Sequence, residues 1–286
     1  MKRLVNLLTI LSILMFACNI STTATQPAAT SLPALTVPPV ATVPSVVTKT
    51  IVNTVAPEVT ATPHPTNLTC NELSLYLDPT LASGYKCETV AESAEGIEIA
   101  PQYTRVTLEG YVLSGKFFEP HIVVLPLQRY KELLPDLVPG RVSDLQSLIN
   151  GGPTGDPLPF LPTFNAAQIF HAQYLTRSFT SGGGIRYLTE YAQYLAPINN
   201  NDLFYTFQGL TNDGKYWVAG ILPINNPILP ANADTIPGGM SMEDFNNNFA
   251  SYVTDMINQM NLQASESYTP SLATLDTLVA SITIQP

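Results

Sequence analysis

Charge is scarce in this 286-residue chain: 12% of the residues are Asp, Glu, Lys or Arg, and 12 bases stand against 22 acids. Residues 1 to 66 hold three of the bases, Lys2, Arg3 and Lys49, and one acid, Glu58. Residues 67 to 286 therefore keep nine bases and 21 acids, a balance of −12. That deficit excludes nucleic acid as a partner, because binding there rests on Lys and Arg against phosphates. It also argues against the acidic part lying flat on an anionic membrane. Histidine is equally sparse. His64, His121 and His171 are the three, and their spacing gives none of them the hydrogen-bonded partner that a general base needs.

Catalytic templates are missing as well. The chain contains no Gly-x-Ser-x-Gly, no His-Glu-x-x-His, no P-loop, no dinucleotide glycine fingerprint after a strand and no Asp-x-Asp-x-Asp-Gly calcium loop. No catalytic residue, metal ligand or cofactor site is assigned from the sequence, and no cofactor is expected. Some of the 21 carboxylates must become neighbours in the fold, but spacing does not single out the acid pair of a hydrolase.

Long apolar runs are confined to one place. After Met1-Lys2-Arg3 the segment Leu4 to Ala17 is apolar except for Asn6, Thr9 and Ser12. This charged start followed by an apolar stretch reads as an export signal over residues 1–17. It is too short to span a hydrocarbon core, which takes about 20 residues. Its end, Leu14-Met15-Phe16-Ala17-Cys18, resembles the lipobox of bacterial lipoproteins; Ala17 and Cys18 match the pattern, whereas Met15 and Phe16 depart from it. The resemblance implies that Cys18 is diacylated and becomes the first residue of the mature chain. Two acyl chains hold a protein stably at a membrane. An ordinary signal with a free thiol, or cleavage after Ala24, is the alternative.

Only three cysteines are present, so lipid on Cys18 leaves Cys70 and Cys87 as an even pair in an exported chain, where disulfides persist. Closing that loop is worth about 3 kcal/mol in the chain-entropy account.

Residues 21 to 66 lack glycine and aromatic side chains and are built from 12 Thr, 8 Pro, 8 Val and 7 Ala. Frequent prolines forbid a helix and the small side chains cannot form a core. Residues 18–66 read as a lipid-anchored spacer, of which residues 21–66 reach at most ~140 Å as polyproline II. The remainder, 67–286, is long enough for one substantial core. We expect a single globular α+β domain: an antiparallel sheet flanked by helices, with long helices at the C-terminal end.

Several elements support that fold. Glu72 to Leu77 reads as a short helix, Gly96–Ala100 and Thr104–Val112 as strands, and His121–Leu125 as a buried strand. In the second of these, Val106, Leu108 and Val112 share one face. Helices are expected over 127–134 and 143–149. The proline-rich loop from Gly151 to Phe164 carries Phe160, Leu161 and Phe164, which must dock somewhere. Gln168 to Thr180, a turn at Ser181-Gly-Gly-Gly184 and Ile185 to Tyr191 form one hairpin, although Leu188, Tyr191, Ala192 and Leu195 also fit helical spacing. Leu203–Leu210, Asn212-Asp-Gly214 and Lys215–Leu222 form a second hairpin, with the strongest turn signal in the chain. Ser241 with Asp244 forms a capping box before an apolar stripe from Phe245 to Met260, and Thr269-Pro270 opens a last helix through Leu272, Leu275, Leu278 and Val279.

The second hairpin and the ending Leu275–Ile284 resemble the family of exported domains built like the photosystem accessory protein PsbP and the nuclear transport factor Mog1. The resemblance implies a sheet flanked by helices and a binding or assembly role; no functional residue transfers with it.

Aromatic density between Tyr187 and Trp217 marks Tyr205, Tyr216 and Trp217 as candidate binding residues, with core packing as the alternative. Neighbours on a strand face opposite ways, so Tyr216 and Trp217 cannot share a side. The expected role is that of a non-enzymatic lipoprotein at the extracytoplasmic face of the cell membrane, whose domain binds a protein, a peptide or an envelope glycan. A tethered hydrolase and a solute-binding transporter component are the alternatives. Fatty-acid labelling is expected to mark the wild-type chain and to leave Cys18→Ser unlabelled; label retained by that variant would place the acyl group elsewhere.

Overall fold

Period-two alternation of apolar side chains dominates the chain, and most of it becomes sheet. The computed structural model describes residues 65–96 and 98–285. The signal segment, Cys18 and nearly all of the Thr/Pro spacer lie outside the described residues, as does Ile97 of the expected strand Gly96–Ala100. The described elements are, in chain order, β1 (Leu68–Cys70), β2 (Leu73–Leu75), β3 (Gly84–Val90), β4 (Tyr103–Glu109), β5 (His121–Pro126), α1 (Leu127–Leu133) and α2 (Val138–Ile149). There follow β6 (Ala167–Gln168), β7 (Ala172–Phe179), β8 (Gly182–Thr189), β9 (Tyr191–Ala192), β10 (Phe204–Thr211), β11 (Tyr216–Pro223), α3 (Met242–Asn261), α4 (Leu272–Ala280) and β12 (Thr283–Ile284).

The fold is α+β. Seven strands form one antiparallel sheet in the order β3-β4-β5-β11-β10-β8-β7, and β1-β2-β12 form a small second sheet. The β10–β11 hairpin turns at Asn212-Asp-Gly214, with Gly214 at φ +69°, and pairs Leu210 with Trp217 and Phe204 with Pro223. Every residue of β10 is buried. Tyr205, Phe207, Val218 and Leu222 face a core closed by β1, β2, α3 and α4. Phe204, Leu210, Trp217 and Ile221 face the opposite core, closed by α1, α2 and the proline-rich loop.

Some expected elements shift, each for a local reason. Glu72–Leu77 is not a helix, because Leu73–Leu75 is paired on both sides, to β1 and to β12. Among the described residues flanking Ile97, Ser93 and Ala100 form an isolated bridge. β4 stops at Glu109 because Gly110 turns at φ +59°, which leaves Val112 47% exposed rather than in line with Val106 and Leu108. α2 starts at Val138, with proline in its first turn, instead of at Ser143. The hairpin between β7 and β8 turns at Thr180-Ser181, so Gly182, Gly183 and Gly184 are strand residues. Glycine is required at Gly184, where a Cβ would stand 2.4 Å from Gln208 O and 2.7 Å from the Phe207 ring.

At the C-terminal end, Ser241 Oγ caps α3 by accepting from Asp244 N at 3.1 Å, as the capping box implies. The last helix is capped by Ser271 rather than by Thr269, whose backbone is held extended by reciprocal bonds with Asn225. The disulfide Cys70–Cys87 joins β1 to the edge strand β3, with Cα atoms 5.6 Å apart.

A buried charge cluster fixes α4 to the large sheet. Asp276 Oδ1 accepts from Tyr205 Oη at 2.9 Å, Arg186 Nε lies 3.3 Å from the same oxygen, and Arg177 donates to Oδ2 at 2.5 Å. Arg186 also donates to Gln173 O. Removing one member of such a cluster strands the others. Asp276→Ala is expected to destabilise the fold by about 3 kcal/mol, mainly through the unpaired, nearly buried Arg186, read as a fall in the denaturant midpoint.

Candidate binding cleft

The loop between α2 and β6 is tied down by one buried carboxamide. Gln208 lies on β10 with its side chain in the core closed by α1 and α2. Its Oε1 accepts from Leu161 N at 3.1 Å and from Trp217 Nε1 at 2.7 Å, and its Nε2 donates to Thr206 Oγ1 at 2.9 Å. Leu158, Phe160 and Leu161 are buried beside it, so the apolar side chains of the loop do dock. A second amide holds the next stretch. Gln168 Oε1 accepts from Leu158 N at 2.9 Å, while its Nε2 donates to Tyr191 Oη at 3.0 Å and to Tyr187 Oη at 3.4 Å. The two-residue pairing of β6 with β9 places Gln168 opposite Tyr191.

These anchors leave a cavity of about 390 Å³ whose walls include Arg141 from α2, Asp156, Phe160 and Phe164 from the loop, Gln168 and Tyr191. The size lies within the range of small-ligand sites. Three rings form its apolar wall, with centroids 5.0 Å apart for Phe160–Phe164 and Phe164–Tyr191 and 4.9 Å for Phe160–Tyr191. The aromatic surface continues outward. Phe164 stacks on Phe118 at 5.2 Å, and Phe118 meets Phe117, which is 68% exposed. Burial raises the Tyr191 and Tyr187 hydroxyls well above their ordinary range, so both remain protonated hydrogen-bond donors at neutral pH.

The aromatics singled out from sequence are placed differently. Trp217 and Tyr205 are each 0% exposed and serve the two cores, so neither presents a surface to a ligand. Both side chains are enclosed because the sheet is covered on both faces. Tyr216 is half-buried and lines a second cavity, of about 650 Å³, with Pro126, Gln128, Lys131, Glu132 and Lys215. The ring positions of the 390 Å³ cleft come instead from Phe160, Phe164 and Tyr191. For Phe160 and Phe164 the sequence signal was the apolar content of the proline-rich loop, whereas Tyr191 lies in the aromatic-dense stretch from Tyr187 to Trp217. Of the histidines, His121 lies at the start of β5 with Nδ1 on Glu119 O, and His171 lies just before β7.

Two acids come together elsewhere. Asn199 N donates to Glu190 Oε2 at 3.2 Å, and Asn199 Nδ2 donates to Asp202 Oδ2 at 2.9 Å. Neither acid lines either of these cavities. Among the described residues no group of three or more His, Cys, Asp or Glu is arranged to hold a metal ion, and no helix is long and apolar enough to cross a membrane. Comparison with protein-family models, with curated proteins and with solved structures gives no match. What defines the molecule is thus an α+β domain with an aromatic-walled cleft at one face of its large sheet.

Glu190 carries a pH consequence. Burial first, then the neighbouring Asp202, raises its carboxyl to about 8, against the opposing bond from Asn199. An acid whose pKa is higher in the folded than in the unfolded state holds its proton longer when folded. Its stabilising contribution is therefore full below the unfolded value and lost as pH rises toward about 8. Glu190→Gln is expected to flatten the decline in stability between roughly pH 4.5 and pH 8 and to be the more stable protein above it. Each tenfold difference in proton affinity between the folded and unfolded chain is worth about 1.4 kcal/mol of that decline; thermal unfolding across the range measures it.

Proposed function

We propose that this chain is a non-enzymatic lipoprotein of the extracytoplasmic face, anchored by acyl chains on Cys18. In this reading residues 18–66 carry the α+β domain away from the membrane, and the domain binds an envelope glycan or peptide in the cleft beneath the proline-rich loop. The observation that carries the reading is the ring cluster Phe160, Phe164 and Tyr191 beside the polar Arg141, Asp156 and Gln168. Aromatic faces next to a few placed polar groups suit a ligand with an apolar face and hydroxyl or amide edges. The loop is held at Leu158 and Leu161 by side-chain amides, so the cleft exists before the ligand arrives and little ordering is required on binding.

Calorimetric titration of the purified chain in detergent with envelope oligosaccharides and short peptides tests this. Phe164→Ala or Tyr191→Ala is expected to weaken binding about tenfold, the equivalent of roughly 1.4 kcal/mol, while Tyr216→Ala in the other cavity leaves it unchanged. Equal binding by all three variants would remove the cleft from consideration. Cleavage of the added oligosaccharide would instead favour a tethered hydrolase.

A further inference from the structure

Nine basic side chains lie among the described residues, and six of them are paired with carboxylates: Lys86, Arg105, Arg129, Arg177, Arg186 and Lys215. Lys116 gives its ammonium to Asn200 O and to Asn225 Oδ1, and Lys131 lines the larger cavity. Lys131 and Arg141 both lack a carboxylate partner, and Arg141 is the one beside the aromatic rings. In a region where acids outnumber bases by 21 to nine, it lines the aromatic cleft and makes neither an ion pair nor a side-chain hydrogen bond among the described residues. Its Nε is enclosed by protein and has no acceptor.

A second donor stands in the same wall. Tyr191 Oη accepts from Gln168 Nε2 at 3.0 Å and neighbours the Tyr187 hydroxyl, which itself donates to Pro159 O at 3.4 Å, so the Tyr191 proton can be given to Tyr187 or to a ligand oxygen. Arg141 and Tyr191 both line the same cleft. A fork of guanidinium donors beside a phenolic O–H is the complement of a planar oxyanion.

We infer that the cleft takes a carboxylate-bearing sugar, with Arg141 and Tyr191 holding the carboxylate; this rests on the glycan-binding reading above and narrows it. The carboxylate is preferred to a phosphate because the cleft supplies one cation only, and Asp156 in the same wall repels a dianion. The sugar is preferred to a peptide terminus because a pyranose carries around its rim hydroxyl groups that can donate to Asp156 in the same wall. The half-buried rings of Phe164 and Tyr191 meanwhile offer apolar surface to its C–H groups.

The test compares hexuronic acid oligomers with neutral hexose oligomers of the same linkage, titrated into wild-type chain and Arg141→Gln. Arg141 makes no side-chain bond within the described residues, so the variant is expected to fold, and its unfolding midpoint checks this. The expected result is about tenfold tighter binding of the acidic oligomer by wild type, screened by salt. In Arg141→Gln the preference disappears, because the acidic oligomer loses about ten times more affinity than the neutral one. Equal affinity for both oligomers, unaffected by Arg141→Gln, would overturn the carboxylate assignment and leave the glycan reading standing. Tight, Arg141-dependent binding of a peptide with a free C-terminal carboxylate, with no response to either sugar, would overturn the sugar assignment. Failure of sugars and peptides alike to bind would overturn the cleft itself.

Discussion

A sheet whose middle strands are enclosed on both faces has to be roofed twice, and the rest of this structure follows from that requirement. β10 has no exposed residue, and its alternate side chains feed two separate cores. One core is covered generously, by α3, α4 and the small sheet. The other has only the short helices α1 and α2, of seven and 12 residues. The proline-rich loop completes that second roof by contributing Leu158, Phe160 and Leu161 as apolar cover. Irregular chain fills space less evenly than a helix, and the cleft lies where the loop, α2 and β9 meet. The site is thus a by-product of how the second core is closed.

Placing loop and helix over a sheet leaves polar groups inside, and several of them are answered by named partners. Gln208 satisfies Leu161 N and the indole of Trp217 with one oxygen. Asp276 collects Tyr205, Arg177 and Arg186 where α4 crosses the strands. Thr189 Oγ1 donates to Phe170 O at 2.6 Å near the β6–β9 pair. Left half-satisfied, groups of this kind cost more than an apolar side chain would. They also fix register: α4 can approach the sheet only where its carboxylate meets two guanidinium groups.

Local chemistry was legible in the sequence wherever neighbours along the chain decide the outcome. Asn212-Asp-Gly214 between two β-branched, aromatic runs could only be a tight hairpin, and Ser241 with Asp244 capped a helix as such pairs do. The pairing of Cys70 with Cys87 followed from a count of three once Cys18 is set aside for the anchor. What the sequence did not disclose depends on distant segments. Leu73–Leu75 is a strand only because β1 and β12 lie on either side. Trp217 and Tyr205 point opposite ways, as strand alternation demands, yet alternation does not reveal that both sides are covered. The cleft needs Arg141, Asp156, Phe160, Phe164, Gln168 and Tyr191 from separate stretches of chain. No spacing rule joins them.

The chain contains a single tryptophan, and its indole N–H shares an acceptor with the backbone of the loop that roofs the cleft. Movement of Leu161 alters the field and the hydrogen bonding at that indole directly, while every other aromatic side chain is a weaker emitter. The molecule therefore carries an intrinsic optical gauge of its own roof: ultraviolet emission, with no dye attached, reads whether the loop is seated.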